Sequence, residues 1–278
     1  MTNPSPESDA ERRFGGLSRL FGTGIGAALQ QASVAVVGIG GVGSWAAEAL
    51  ARSGVGSLTL IDLDHVSESN INRQVHALSQ TLGQSKVFAM AERIEQINPD
   101  CQLTLIDDFV SPHNVGQLLD PRLTVILDCA DQIAAKLAMV LQARERQQPL
   151  IVCGGAGGKT DPLALRSGDL SLATHDALLG RLRNLLRKDH GFAKGGVAGG
   201  QSLKRVPKMG VSVLWVDQPT VLPSAWIEAE SNVSIASPQG LSCAGYGSSV
   251  TVTATMGLVA ANEAIKRILA LRLGPTTN

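Results

Sequence analysis

The sequence predicts an α/β fold, a Rossmann-like, mostly parallel sheet with helices on both faces, plus a C-terminal extension. Three observations predict it. Strand-length apolar runs alternate with helix-length segments between Val34 and Cys153, the pattern of a parallel sheet covered on both faces. The run Val34–Ser44, VAVVGIGGVGS, joins a buried strand to a glycine turn and a helix start. Asp62 ends the next strand about 20 residues on, where a ribose-binding acid belongs.

Taken in order, residues 1–11 are rich in Pro, Ser and acid and read as a disordered tail. Residues 12–32 read as a short helix, a glycine-containing turn and a second helix ending near Ala32. Val34–Gly38 is a buried strand, Trp45–Ser53 a helix and Ser57–Asp62 the next strand. Gln84–Asn98 is helical, with Val87, Met90, Ala91, Ile94 and Ile97 on one face. Leu103–Ile106 is a strand, His113–Leu119 a short helix and Val125–Asp128 a fully apolar strand. Gln132–Gln147 is a helix closed by Pro149 and the strand Leu150–Cys153. The texture then changes. Gly154–Gly158 is a turn-rich loop, Asp176–Asp189 a basic amphipathic helix, and 191–210 a Gly- and Lys-rich flexible insertion. Val211–Val216 is a strand, 217–249 mixed loop, and Val250–Leu273 a final helix with a break expected near Gly257.

Composition narrows the class. The chain has 278 residues, 44% hydrophobic, 17% charged and 3% aromatic, so its core rests on Ala, Val, Leu and Ile. Net charge is zero, which gives no global attraction to nucleic acid and no argument for DNA. Cys101, Cys129, Cys153 and Cys243 lie far apart without a CxxC pair, which disfavours zinc and a disulfide framework. The polar N-terminus has no apolar signal core, so a cytoplasmic protein is expected. Val250–Ala261 is too short to span a bilayer; peripheral membrane contact through the last helix stays open.

Gly38, Gly40 and Gly43 fit GxGxxG, and Gly41 lies within the same turn. Such glycines allow a tight turn, close backbone approach to phosphate and tight helix–strand packing. Helix-start N–H groups then face the phosphates. With Asp62 alone, this fits a nicotinamide enzyme equally well. Asp64, Asn70, Arg73, Gln74 and Lys86 break the tie. Arg73 and Lys86 can neutralise β- and γ-phosphates, one as a fork and one as a point charge. Asn70 can donate an amide hydrogen bond. Hydride transfer needs no such cluster, so the predicted cofactor is ATP. Asp131 follows the strand Val125–Asp128 and is placed to hold Mg²⁺; Asp128 is the alternative, or a cap for the next helix.

These residues resemble the ubiquitin-activating-enzyme superfamily, which includes the sulfur-carrier adenylyltransferases. The shared pattern is the GxGGxG turn, Asp62, the DxDxVxxSNxxRQ stretch, Lys86 after Gly83, and Asp131. The resemblance implies a carboxylate activated as an acyl-adenylate and a homodimer in which an N-terminal arginine, Arg13 or Arg19, reaches the partner's ATP. It frames residues 12–278 as a single ThiF-like adenylating domain, with an ATP-binding half (12–158) and a substrate- and tRNA-facing half (159–278). A narrower resemblance covers nearly the whole chain. RFGGLSRLFG (13–22), NRQVHAL (72–78), GGAGGKTDP (154–162) and the late SCAGYGS stretch are similar to the tRNA threonylcarbamoyladenosine dehydratases. It implies ATP-dependent cyclisation of the threonylcarbamoyl group on adenosine 37 of tRNA. An adenylyltransferase acting on the C-terminal Gly-Gly of a small sulfur-carrier protein is the alternative. A monovalent cation and a cysteine-desulfurase sulfur-transfer partner stay open.

Two features bear on the substrate. From Arg166 to Lys208 there are nine Lys and Arg against three Asp, an asymmetry suited to a tRNA backbone. Arg181, Arg183, Arg187 and Lys188 are the predicted contacts. Cys243 sits in a small-residue loop; the resemblance to the ubiquitin- and thiamine-type enzymes implies a cysteine that takes over the acyl group, while the residue by itself reads as a small buried hydrophobe. The other three cysteines read as core, and His76 as a packing residue.

Overall fold

The computed structural model describes residues 6–195, 197–198, 201–202, 206–222 and 246–273. Its main sheet takes the order β3-β2-β1-β4-β5-β9-β6. The strands are β1 (Ser33–Val37), β2 (Ser57–Ile61), β3 (Gln102–Ile106), β4 (Val125–Asp128), β5 (Leu150–Cys153), β6 (Leu165–Asp169) and β9 (Ser212–Val216). Val197–Ala198 and Gln201–Ser202, β7 and β8, pair separately with each other. All neighbours in the main sheet are parallel except β6, which runs antiparallel to β9 at the edge.

The helices are α1 (Pro6–Phe21), α2 (Ile25–Gln30), α3 (Gly43–Arg52), α4 (Lys86–Ile97), α5 (Val115–Leu118), α6 (Ile133–Arg146), α7 (Ala177–Asp189) and α8 (Val250–Leu273). Alternation along β1 sorts them to two faces. Val34 and Val36 pack with Leu50, Leu58, Met90 and Met256, under α2, α3, α4 and α8. Ala35 and Val37 pack with Val115, Ile126, Ala135 and Met139, under α5 and α6. A third cluster seats Leu179, Leu182 and Leu186 of α7 against Val152, Val213 and Trp215. Each fully buried Leu or Ile contributes about 1.5–3 kcal/mol.

The predicted fold class is the observed one, with four differences. The helix begins at Pro6, inside the stretch read as a tail; Pro suits a first helical position. The edge strand β6 escapes the sequence because LRSGD carries Gly and no apolar alternation. β7 and β8 fall within the segment read as insertion. α8 runs unbroken through Gly257, whose missing side chain admits another helix rather than a kink. A Cβ there would sit 2.3 Å from the Val42 carbonyl oxygen and 3.0 Å from the Ala46 nitrogen. The C-terminal extension is thereby part of the core layer over α3. No helix among the described residues is long and apolar enough to cross a membrane.

The chain leaves β1 toward β2 and β3 on one side, then returns to place β4 and β5 on the other. That reversal opens a crevice beyond the carboxyl ends of β1 and β4, where ligands bind in open α/β sheets.

Candidate active site

The glycine turn fills that crevice, and its glycines have separate tasks. Gly38 adopts φ +86°, and a Cβ on it would stand 2.9 Å from the backbone of Cys129 and Ala130. A Cβ on Gly43 would meet the Gly38 carbonyl oxygen at 1.8 Å. These two residues let β1, β4 and α3 close on one another. Gly40 lines the cavity and has nothing within 4 Å of its Cβ position among the described residues, so its backbone is bare toward the cavity. The Arg73 segment is fastened to the turn from behind. Trp45 Nε1 donates to the Arg73 carbonyl at 3.0 Å, and the Ser44 hydroxyl accepts from Val75 N–H at 3.3 Å.

Asp62 follows β2. One carboxylate oxygen accepts from Ile39 N–H at 2.6 Å and the other from Asp64 N–H at 2.9 Å. Burial raises its pKa, and the charge of Lys86 opposes that rise. Lys86 opens α4, donates to Asp64 at 2.6 Å and lies 3.9 Å from Asp62. Asn70 is buried, with its side-chain oxygen accepting from Ser67 N–H at 3.1 Å. Arg73 donates to the Ser69 carbonyl and the Asn72 side chain. Gln74 is buried, its amide oxygen without a hydrogen-bond partner among the described residues.

A cavity of about 280 Å³ gathers Gly38, Gly40, Gly41, Asp62, Asp64, Asn70, Arg73, Gln74, Lys86 and Asp131. Every predicted cofactor-binding residue except Gly43 lines it. Beside it lies a slot of about 140 Å³, sharing Gly38, Asp62, Asp64 and Asp131 and walled by Leu63, Phe109, Val110 and Ala135. A polar cavity for phosphates joined to an apolar slot suits a nucleotide with its base in the slot. A larger cavity of about 710 Å³ lies among Arg13, Arg52, His76 and Arg93, away from the glycine turn.

Asp131 is exposed at the mouth of both spaces. Asp128, its alternative, is fully buried and accepts from Lys136 at 3.0 Å and from Ala130 N–H at 3.1 Å. It neither faces the cavity nor caps α6, whose N-cap is Gln132. No group of three His, Cys, Asp or Glu able to hold a metal occurs among the described residues. An exposed Asp131 nevertheless fits a cation brought in on phosphates, which needs only one or two carboxylates.

Arg13 donates to the Ile97 carbonyl at the end of α4, at 3.0 Å, and Arg19 is exposed in the last turn of α1. Neither lines this chain's nucleotide cavity. The four basic residues of α7 divide. Arg181 and Lys188 are exposed. Arg183 donates to the carbonyls of Leu170 and Ala173, and Arg187 to that of Ala193. Cys243 lies outside the described residues. Cys101 and Cys153 are buried, and Cys129 is half-buried and lines the cavity.

Several contributors carry weaker sequence signals. Phe109 and Val110 follow β3 without a motif. Lys136 is readable as a cation on the apolar stripe of α6, among Ala135, Ala138 and Met139. Gly154, Gly155 and Leu178 form a further wall of the cavity, and Thr253 lines it beside Gly41.

Fold and site together define a doubly wound nucleotide-binding protein furnished for a triphosphate rather than a dinucleotide. The chain belongs to the ThiF family, whose model matches residues 16–278. It is similar to the tRNA threonylcarbamoyladenosine dehydratase of Escherichia coli K12, at 41% identity over 266 residues, covering 95% of this chain and 96% of the relative. Its structure is similar to that of the E. coli tRNA N6-threonylcarbamoyladenosine dehydratase in complex with ATP. The TM-score is 0.80 and the identity 38%, over 95% of this chain and 96% of that one. The complex of the E. coli dehydratase with AMP matches with a TM-score of 0.81 and 37% identity, over 99% and 100% of the two chains.

Proposed function

We propose that this chain uses ATP to dehydrate threonylcarbamoyladenosine at position 37 of tRNA. The threonyl carboxylate attacks the α-phosphorus, pyrophosphate leaves, and an acyl-adenylate forms. The carbamoyl group then attacks the acyl carbon and gives up its N–H proton as AMP leaves. The nucleoside thus loses one water and closes a ring. A carboxylate is a poor electrophile because its leaving group would be oxide; adenylation supplies a good one. Ring closure within one molecule has a large effective-molarity advantage.

The observation that carries the reading is the set Arg73, Lys86 and Asp131 around the bare backbone of Gly40, beside a slot for a base. Lys86 rests on Asp64, which stands 74% exposed at its side chain, so the ammonium can pass to a phosphate while Asp64 turns to solvent. Arg73 would stabilise charge on the leaving pyrophosphate. Asp62 would accept from ribose hydroxyls through the lone pairs left over from Ile39 and Asp64. Asp131 would hold Mg²⁺, which when bound neutralises phosphate charge. Likeness to dehydratases over nearly the whole length supports the tRNA substrate. Arg181 and Lys188 offer exposed charge for its backbone, while the inward bonds of Arg183 and Arg187 hold α7 in place. A homodimer, with Arg13 or Arg19 acting on the partner's nucleotide, accounts for their distance from the cavity of their own chain.

Incubation with ATP and tRNA carrying threonylcarbamoyladenosine, followed by nucleoside mass spectrometry, tests the reading. Loss of one water is expected. No mass change from protein that binds ATP would overturn it.

A further inference from the structure

One wall of the nucleotide cavity is fastened to the start of the basic helix by one carboxylate. Asp176 is the N-cap of α7, and one of its oxygens accepts from Leu179 N–H at 2.8 Å. The other accepts from Gly155 N–H at 2.9 Å. Gly154, Gly155 and Leu178 line the cavity together with the glycine turn. The fit admits no side chain at Gly154, where a Cβ would lie 2.1 Å from the second Asp176 oxygen. Among the described residues, nothing lies within 4 Å of Gly155 on its Cβ side. Its N–H is tied back to Asp176, and the open side is left to whatever enters the cavity.

The neighbourhood makes this link stiff. Lys159 is 3% exposed and donates to the carbonyls of His175 and Gln218, fixing the Lys159 end of the Gly154–Lys159 loop against the residue before Asp176. Arg183, about two turns into α7, donates to the Ala173 carbonyl at 2.6 Å. Helix start, loop and cavity wall therefore move together or not at all.

We propose that Asp176 is a positioning residue that sets the cavity wall from the helix on which tRNA docks. This rests on the tRNA reading above. A carboxylate does both tasks because its two oxygens point to different N–H groups; a side chain with one oxygen, placed to cap the helix, leaves Gly155 without its acceptor. Ser and Asn are as good as Asp at an N-cap, so Asp176→Ser and Asp176→Asn separate the tasks. In both variants, melting temperature and tRNA affinity stay near those of the parent protein. The kcat of tRNA-dependent ATP consumption falls by about tenfold or more while KM for tRNA changes little, as expected for misplaced reacting groups. Gly154→Ala, which drives a methyl group into the same oxygen, gives the same split with Asp176 intact.

A folded Asp176→Ser protein with parental kcat overturns the inference and leaves the tRNA reading standing. Unchanged tRNA affinity in Arg181→Glu/Lys188→Glu overturns docking on α7. A kcat loss in Asp176→Ser alongside that result overturns the coupling to the helix.

Discussion

Lys86 and Lys136 both meet aspartates at the carboxyl edge of the same sheet, yet only one faces the nucleotide cavity. Lys136 and Asp128 are each 0% exposed at their side chains, and Lys136 also donates to the Cys153 carbonyl at 2.7 Å. That pair locks the end of β4 to the end of β5. Lys86 is nearly as buried, at 7%, but its partner Asp64 stands in solvent. The same two residue types therefore divide into a fixed joint and a movable charge. The exposure of the acid, rather than of the lysine, separates them.

The comparison breaks most directly at Lys136. Lys136→Met strands the Asp128 carboxylate, whose pKa burial already raises, and should cost about 3–5 kcal/mol of stability by urea unfolding. Adding Asp128→Asn removes the stranded charge and recovers part of the loss. Lys86→Met should behave in the opposite way, with little change in unfolding midpoint and a fall in ATP consumption of about 10²- to 10³-fold. Equal destabilisation by the two variants would dissolve the distinction.

His76 sharpens it. This histidine is 1% exposed, and neither ring nitrogen has a hydrogen-bond partner among the described residues. Burial lowers its pKa to about 4, helped by the charges of Lys86 and Arg93. Between pH 6.5 and 4 the unfolded chain binds a proton that the folded chain refuses. Stability is flat above that window and falls as pH drops through it, by about 3 kcal/mol in all. Histidine NMR titration in Lys86→Met should move the pKa upward; an unmoved value would show that Lys86 exerts no field there. The smallest effect belongs to Asp62. Asp62→Asn keeps one of two acceptors for Ile39 and Asp64 and should weaken ATP binding by about tenfold, or ~1.4 kcal/mol, by calorimetry.

What the sequence made legible follows from chemistry with a local pattern. Gly38, Gly40 and Gly43 announce a turn because only glycine fits it, and Asp62 and Lys86 stand at fixed offsets from that turn. Contacts between distant segments left no such trace. Asp128 read as a helix cap, and as second choice to Asp131 for the metal, since its partner Lys136 is eight positions away on another element. Arg183 and Arg187 read as surface charge, because a carbonyl acceptor has no side-chain signature. Gly257 read as a helix break, because the sequence does not show that α3 lies against it. The start of α1 at Pro6 was hidden by a composition typical of tails.

The contact at Gly257 also dictates when the protein becomes competent during synthesis. α8 lies against Val42, Trp45 and Ala46, and its Thr253 would be 3.2 Å from a Cβ on Gly41. The phosphate turn thus borrows one of its walls from a helix encoded far downstream. Domains generally fold as units while the chain is being made, so a nascent chain still holding α8 inside the ribosome has the glycine motif without a finished cradle. ATP capture should therefore begin only once α8 has emerged and docked on the turn.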